Sequence, residues 1–351
     1  MKAILTDLLA IIGVVLNGLP QGLLALTFGF ASVPTALAFF GAVGNTITQS
    51  VAPISFQAET ITYAGTAGKD RSERCTMIFI GGVIMALIGV FGLLTKIVNF
   101  VGEDVAYGMM AGVGIILVKA AIDMIKSDAI SGGVSLAAAL ITYYFTKASA
   151  NTLVYTIVIS VVASCIANAF FNKEKSSIVV EDDKFVRQKF TINANVILGA
   201  LGMVCLNIGS NISFGGITAG MATGGNYNVD NLTVISSLAD MFSSFFGGAP
   251  VEAIISATAN APHAVWAGVI MMVVIGVILL LKLLPKIGKF VPSSSIAGFL
   301  FVLGIFKTVV LDAPSAFAVN AAVGGTTMVV TAVTNPFLGM LAGVAAKLLG
   351  L

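Results

Sequence analysis

The chain is 351 residues long with 58% hydrophobic and 10% charged residues and a mean hydropathy of +1.03, against about 25% charged residues in soluble domains. That balance excludes a soluble globular protein, and apolar runs of membrane-spanning length recur from end to end, leaving no stretch for a separate soluble domain. A net charge of +2 with no basic patch argues against a nucleic-acid partner, and Cys75, Cys165 and Cys205, far apart and without metal-ligand spacing, read as buried free thiols.

In chain order, apolar runs and the polar or Gly/Pro breaks between them predict spans near 4–26, 30–48, 52–66, 75–97, 103–122, 130–147 and 151–171. A second set follows near 192–214, 232–247, 249–261, 264–284, 291–309, 314–331 and 334–350. The segment after Lys2 is read as the first helix, without a cleaved leader, because so many spans follow it. The one long polar stretch, FNKEKSSIVVEDDKFVRQKF at 171–190, falls between the sets. The predicted organisation is a first repeat over 1–172, a polar linker over 173–189 and a second repeat over 190–351.

The halves resemble each other in a consistent order. LLAIIGVVLNGLPQG at 8–22 matches LGALGMVCLNIGSNI at 198–212, which sets Asn17 over Asn207 and Gln21 over Asn211. GVIM at 82–85 recurs at 268–271, and LLTKIVNFV at 93–101 returns as LLPKIGKFV at 283–291. Between them APISFQAET at 52–60 falls opposite APVEAIISA at 249–257. With an odd number of spans in each half, the second runs through the membrane upside down relative to the first. The expected fold is an all-α integral membrane protein, a 7+7 inverted-repeat transporter with about 14 transmembrane segments.

Segments 3 and 10 are shorter than the roughly twenty residues a spanning helix needs, and each opens on a proline, Pro53 or Pro250, that removes a backbone donor. Both are predicted to be broken. Irregular backbone at membrane depth survives only where protein or a wet cavity satisfies it, and a matched pair of such segments points to a transport site near the midplane. Each also carries a carboxylate, Glu59 or Glu252, whose insertion at the bilayer centre costs about 2.5–3.5 kcal/mol. Glu252 is the only Asp, Glu, Lys or Arg between Asp240 and Lys282. Solvation at the headgroup level is the competing reading for both acids. On segment 8, Asn207, Ser210 and Asn211 share one helical face, and segment 1 offers Asn17 and Gln21 on the mirrored face; polar glue between helices is the alternative there. Amides beside a carboxylate suit a neutral planar ligand with alternating donors and acceptors, and none of the four segments carries the Lys or Arg that an anion would favour.

With these features the chain resembles the nucleobase-cation symporter-2 family of uracil, xanthine and hypoxanthine/guanine permeases. SLADMFSSFFGGAPVEAIISATANAPH at 237–263 carries the resemblance most specifically. It implies short β-strands in segments 3 and 10, a core domain of segments 1–4 and 8–11, and a gate domain of segments 5–7 and 12–14. It also implies import of a nucleobase, a purine such as guanine, hypoxanthine or xanthine or else uracil, by proton symport with alternating access; sodium stays open as the coupling ion. The base would meet Glu252, Val251, Ser55, Gln57, Asn207, Asn211, Gln21 and Asn17, with Phe56 stacking on it. Glu252, Glu59 and Asp240 would serve proton coupling, although Ser256 competes with Glu252 for the acid's place and segment 8 has amides where the family carries an acid. A multi-pass plasma-membrane location, no cofactor and a homodimer complete that picture.

The runner-up is an anion transporter of the sulfate-permease type, which shares the architecture but usually carries a soluble C-terminal domain, whereas this chain stops at Leu351. An intramembrane enzyme is disfavoured: the single histidine, His263, lies at a helix junction beside Trp266 and reads as interfacial. Lys and Arg concentrate in odd-numbered connections, which places the termini outside, while the resemblance places them in the cytoplasm; both orientations stay open.

Overall fold

The computed structural model describes residues 2–48, 50–149, 152–171, 185–225, 227–254, 256–288 and 291–351; most of the expected polar linker, residues 173–184, lies outside them. The first half holds helices α1 (Lys2–Thr27), α2 (Ser32–Gly41) and α3 (Gly44–Ile47), strand β1 (Ile54–Ser55), and helices α4 (Ala58–Ala67), α5 (Arg71–Val90), α6 (Leu94–Val101), α7 (Glu103–Ser127), α8 (Ala129–Thr146) and α9 (Thr152–Phe171). The second opens with α10 (Ala194–Ser210), a π-helical turn (Asn211–Gly215), α11 (Gly216–Thr223) and α12 (Val229–Phe245). Strand β2 (Glu252–Ala253), a 3-10 turn (Ala257–Asn260), α13 (Ala264–Leu280) and α14 (Leu283–Gly288) follow. The chain closes with a second 3-10 turn (Ser293–Ile296), α15 (Ala297–Val302), a second π-helical turn (Leu303–Val309), α16 (Val310–Val333) and α17 (Pro336–Leu348). Five helical stretches are long and apolar enough to cross a membrane, among them α1, α5 and α7.

Short polar side chains set the helix starts. Asp70, Asp128, Asn193, Asn228 and Asn335 have extended backbones, and each accepts the amide N–H three residues on, heading α5, α8, α10, α12 and α17. Pro336 follows Asn335 at the first helical position, where its missing donor is harmless.

One boundary departs from expectation. The sequence reading put a connection at 309–314, around Asp312 and Pro314; the chain instead stays helical there and breaks at Asn320, whose φ of −152° and ψ of 108° leave the helix. Asn320 Oδ1 accepts from the N–H groups of Ala322 and Val323, so it caps the stretch that follows. A π-helical turn, Leu303–Val309, leads into this helix, which contains Pro314.

Packing divides the described residues into two units, one within Met1–Phe100 and Glu181–Leu284 and the other within Val101–Val180 and Pro285–Leu351. In the first, α5 lies against α10 and α12 at glycines: a Cβ on Gly82 would stand 3.0 Å from the Ser237 carbonyl oxygen, and one on Gly89 2.9 Å from that of Asp230. In the second, α7 meets α16 the same way, with Gly324 O only 2.6 Å from where a Cβ of Gly108 would sit. Small residues allow this approach where lipid supplies no hydrophobic drive for helix association. Gly108→Val is therefore expected to cost about 1–3 kcal/mol through overpacking, read as a lower Tm in detergent. Gly13→Ala, where a Cβ meets nothing within 4 Å, leaves Tm unchanged.

Candidate substrate-binding site

Pro53 and Pro250 each precede a short extended stretch, and the two stretches find each other within the first unit. Strand β1 pairs antiparallel with β2, Ile54 opposite Ala253 and Ser55 opposite Glu252. Neighbouring side chains satisfy much of the remaining backbone. On the approach to β2, Gly247 has a φ of +90°, open to glycine without strain, and its carbonyl accepts from Ala31 N–H and the Arg71 guanidinium. The Ala249 N–H donates to Thr35 Oγ1 at 2.9 Å, the Ala249 carbonyl accepts from Ser243 Oγ at 2.6 Å, and the Val251 N–H donates to Asp240 Oδ1 at 2.7 Å. Beyond β2, the Thr218 hydroxyl donates to the Ile254 carbonyl at 2.6 Å and accepts from Ser256 N–H at 3.2 Å.

Thr218 was not among the expected residues, and neither was the π-helical turn just before it. In sequence, a threonine in an apolar helix looks like any other that bonds back to its own helix. Ser256, the rival to Glu252, caps the 3-10 turn through the Thr258 N–H.

The expected site residues fall into groups. Ser55, Gln57, Asn207, Asn211, Asp240, Val251 and Glu252 are buried around the strand pair. Gln57 holds the cap position of α4 and accepts from Ser210 Oγ at 3.1 Å. Gln21 Nε2 donates to the Asn17 carbonyl at 3.2 Å, and Gly18 between them faces Ser55, whose Oγ would stand 3.0 Å from a Cβ there. Glu59 sits in the first turn of α4, where a carboxylate meets the helix dipole favourably.

The polar atoms left over define the site. Ser55 Oγ, Gln57 Nε2, Asn17 Oδ1, Asn207 Oδ1, Asn211 Oδ1 and both carboxylate oxygens of Glu252 are buried and lack a hydrogen-bond partner. Asn207 and Asp240 stand beside the Glu252 carboxylate and interact with it as hydrogen-bonding side chains, at a geometry looser than a closed hydrogen bond. A fold that satisfies most of its buried polar groups leaves such a cluster bare at places where a ligand completes it.

Neither a family model nor a curated protein sequence matches the chain. Solved structures do. The transmembrane domain of the cyanobacterium bicarbonate transporter BicA matches with a TM-score of 0.67 at 16% identity, covering 98% of this chain and 98% of that one. SLC26A9 matches at 0.68 and 15%, covering 99% of this chain and 65% of that one. The murine Solute Carrier 26 family member A9 anion transporter, in the inward-facing state, gives 0.69 and 14%, covering 100% and 68%. This chain has their fold. It is a multi-pass membrane protein of the 7+7 inverted-repeat transporter architecture, with strands in segments 3 and 10.

These likenesses correct the expectation of a nucleobase-cation symporter-2 protein importing a purine or uracil by proton symport, since the matching structures are those of bicarbonate and anion transporters. The interior agrees with the correction. The Phe56 ring, expected to stack on a base, packs edge-on against Phe39 at 5.3 Å, and a Cβ on Gly22 would stand 2.8 Å from it. The Asn211 amide, expected to contact the base, donates to Thr233 Oγ1 at 3.2 Å.

The two kinds of polar residue separate by experiment. Thr35→Val strands the Ala249 N–H and is expected to cost about 1–3 kcal/mol of stability. Ser55→Ala removes a hydroxyl with no partner and is expected to stay within about 0.5 kcal/mol of the parent, both read from Tm in detergent.

Proposed function

We propose that this chain is a secondary-active transporter of a small, singly protonated oxyanion of the bicarbonate type, coupled to a monovalent cation. The observation that carries the reading is the strand pair and its unpartnered polar atoms, set in a chain that matches anion transporters along its whole length.

The first unit would carry the substrate. The N-terminal turn of α4 presents backbone N–H groups and the positive end of a ten-residue helix. Ser55 Oγ and Gln57 Nε2 add two donors without partners. Facing them are more orphaned acceptors than donors: the amide oxygens of Asn17, Asn207 and Asn211 and the carboxylate of Glu252. A halide or a fully ionised sulfate gives such acceptors nothing, whereas an oxyanion that keeps one O–H both accepts and donates. Glu252 and Asp240, both buried and interacting, form an acid pair whose like charges oppose each other, and a bound cation would offset the negative charge that remains on it. Asn207 Oδ1 beside them adds a neutral oxygen ligand of the kind hard cations take.

The test is uptake of labelled bicarbonate, sulfate and chloride by liposomes carrying the full chain, with and without an inward sodium gradient. Sodium-stimulated bicarbonate uptake is expected. Ser55→Ala and Gln57→Ala should each lower it about tenfold, the loss of one hydrogen bond to a charged ligand, and Glu252→Gln should remove the sodium stimulation. No uptake of any of the three ions under any gradient rejects the reading.

A further inference from the structure

His263, the chain's only histidine, takes no part in the site described above, yet it makes a two-point contact with the opposite end of the helix that lines it. Its backbone N–H donates to Asp7 Oδ1 at 3.1 Å, and its ring Nδ1 lies 2.8 Å from Asp7 Oδ2. His263 occupies the cap position of α13 and makes no side-chain cap, and the Asp7 carboxylate from α1 accepts the N–H of His263 itself. We propose that Asp7 and His263 form a proton-sensitive tether that fixes the far end of segment 10 to α1 and so positions the strand pair.

Segment 10 runs from β2 through the 3-10 turn to His263, eleven residues beyond Glu252. At its near end it is bolted to α12 and α2 through Asp240, Ser243 and Thr35. At its far end the His263 ring meets Asp7. Helix α1 carries Asp7 and, three turns further on, Gly18, which lies against Ser55 of the opposing strand. One helix therefore registers β1 directly and the far end of β2's segment through the tether.

The electrostatics are simple. Against the His263 turn pack α1, α11, the 3-10 turn and α13; their only charged residues are Lys2 and Asp7, both on α1. The Asp7 side chain is 14% exposed and that of His263 58%, so the imidazole exchanges protons with water while the carboxylate stays sheltered. Protonated, the ring forms an ion pair with Asp7; neutral, it keeps only the hydrogen bond to the carboxylate. The tether is thus strongest while the ring holds its second proton and weakens as rising pH removes it.

Trp266, the chain's only tryptophan, stands three residues beyond His263 and is exposed, which provides a local reporter. With the full chain in nanodiscs, its fluorescence should follow a sigmoid with pH, become flat in His263→Asn, and lose more than half its amplitude in Asp7→Asn. In liposomes, the ratio of parent to His263→Asn uptake of labelled bicarbonate should fall about threefold from pH 6 to pH 8 as the charge-assisted bond is lost. That second arm rests on the proposed transport activity and the first does not. Uptake absent with the fluorescence titration intact rejects the activity and leaves the tether standing. An Asp7→Asn titration identical to the parent's overturns the tether, as does a parent-to-variant uptake ratio independent of pH. His263→Gln, checked by size exclusion, replaces His263→Asn if that chain misfolds.

Discussion

The strand pair depends on one constraint: backbone taken out of helix at membrane depth must find its hydrogen bonds in protein. β1 and β2 are two residues each and satisfy part of each other's backbone, while the Ile54 N–H donates to Met272 Sδ. The rest falls to side chains of the surrounding helices, with Thr35 and Asp240 accepting N–H groups, Ser243 donating to a carbonyl, and Thr218 doing both. Much of the polar character inside the first unit follows from this. Asp240 in particular has a structural reason to be buried, because it accepts the Val251 N–H next to the strand that carries Glu252.

This division explains what was legible in the sequence. The prolines at 53 and 250, the short apolar runs and the paired Ala-Pro signatures marked the two broken segments, since breaks in a spanning helix are local events. Ser55, Gln57 and Glu252 were expected at the site for the same reason, and they lie on or next to the strand pair. Thr218 and Asn320 were not, because their roles are set by partners distant in sequence or by a backbone break that no proline announces. The misread connection at 309–314 has the same origin: the chain runs there from a π-helical turn straight into α16.

The substrate was misjudged for a different physical reason. Amides beside a carboxylate complement any ligand that both donates and accepts, and a nucleobase and a protonated oxyanion share that property. What separates them is flat apolar area. A base needs an aromatic face open to the site, and the candidate, Phe56, spends its surface on Phe39 and Gly22. Sequence shows that a phenylalanine is present but not which way its ring is committed.

The lack of Lys and Arg in segments 1, 3, 8 and 10 was taken as evidence against an anion, and that inference assumed the positive charge must be a side chain. A helix N-terminus supplies roughly half an elementary charge without the insertion cost of a cationic residue. It is also weaker, so the α4 terminus alone attracts an anion modestly, while Glu59 in the same turn draws on the same dipole. An ionised Glu252 on the facing strand would repel an anion unless a cation sat with it. Such a site gains affinity for the anion only when the cation is present and, by reciprocity, for the cation when the anion is present. Coupling would then be a consequence of the charges the site lacks: with a permanent arginine at this position an anion would bind without its companion ion, and the two fluxes would come apart.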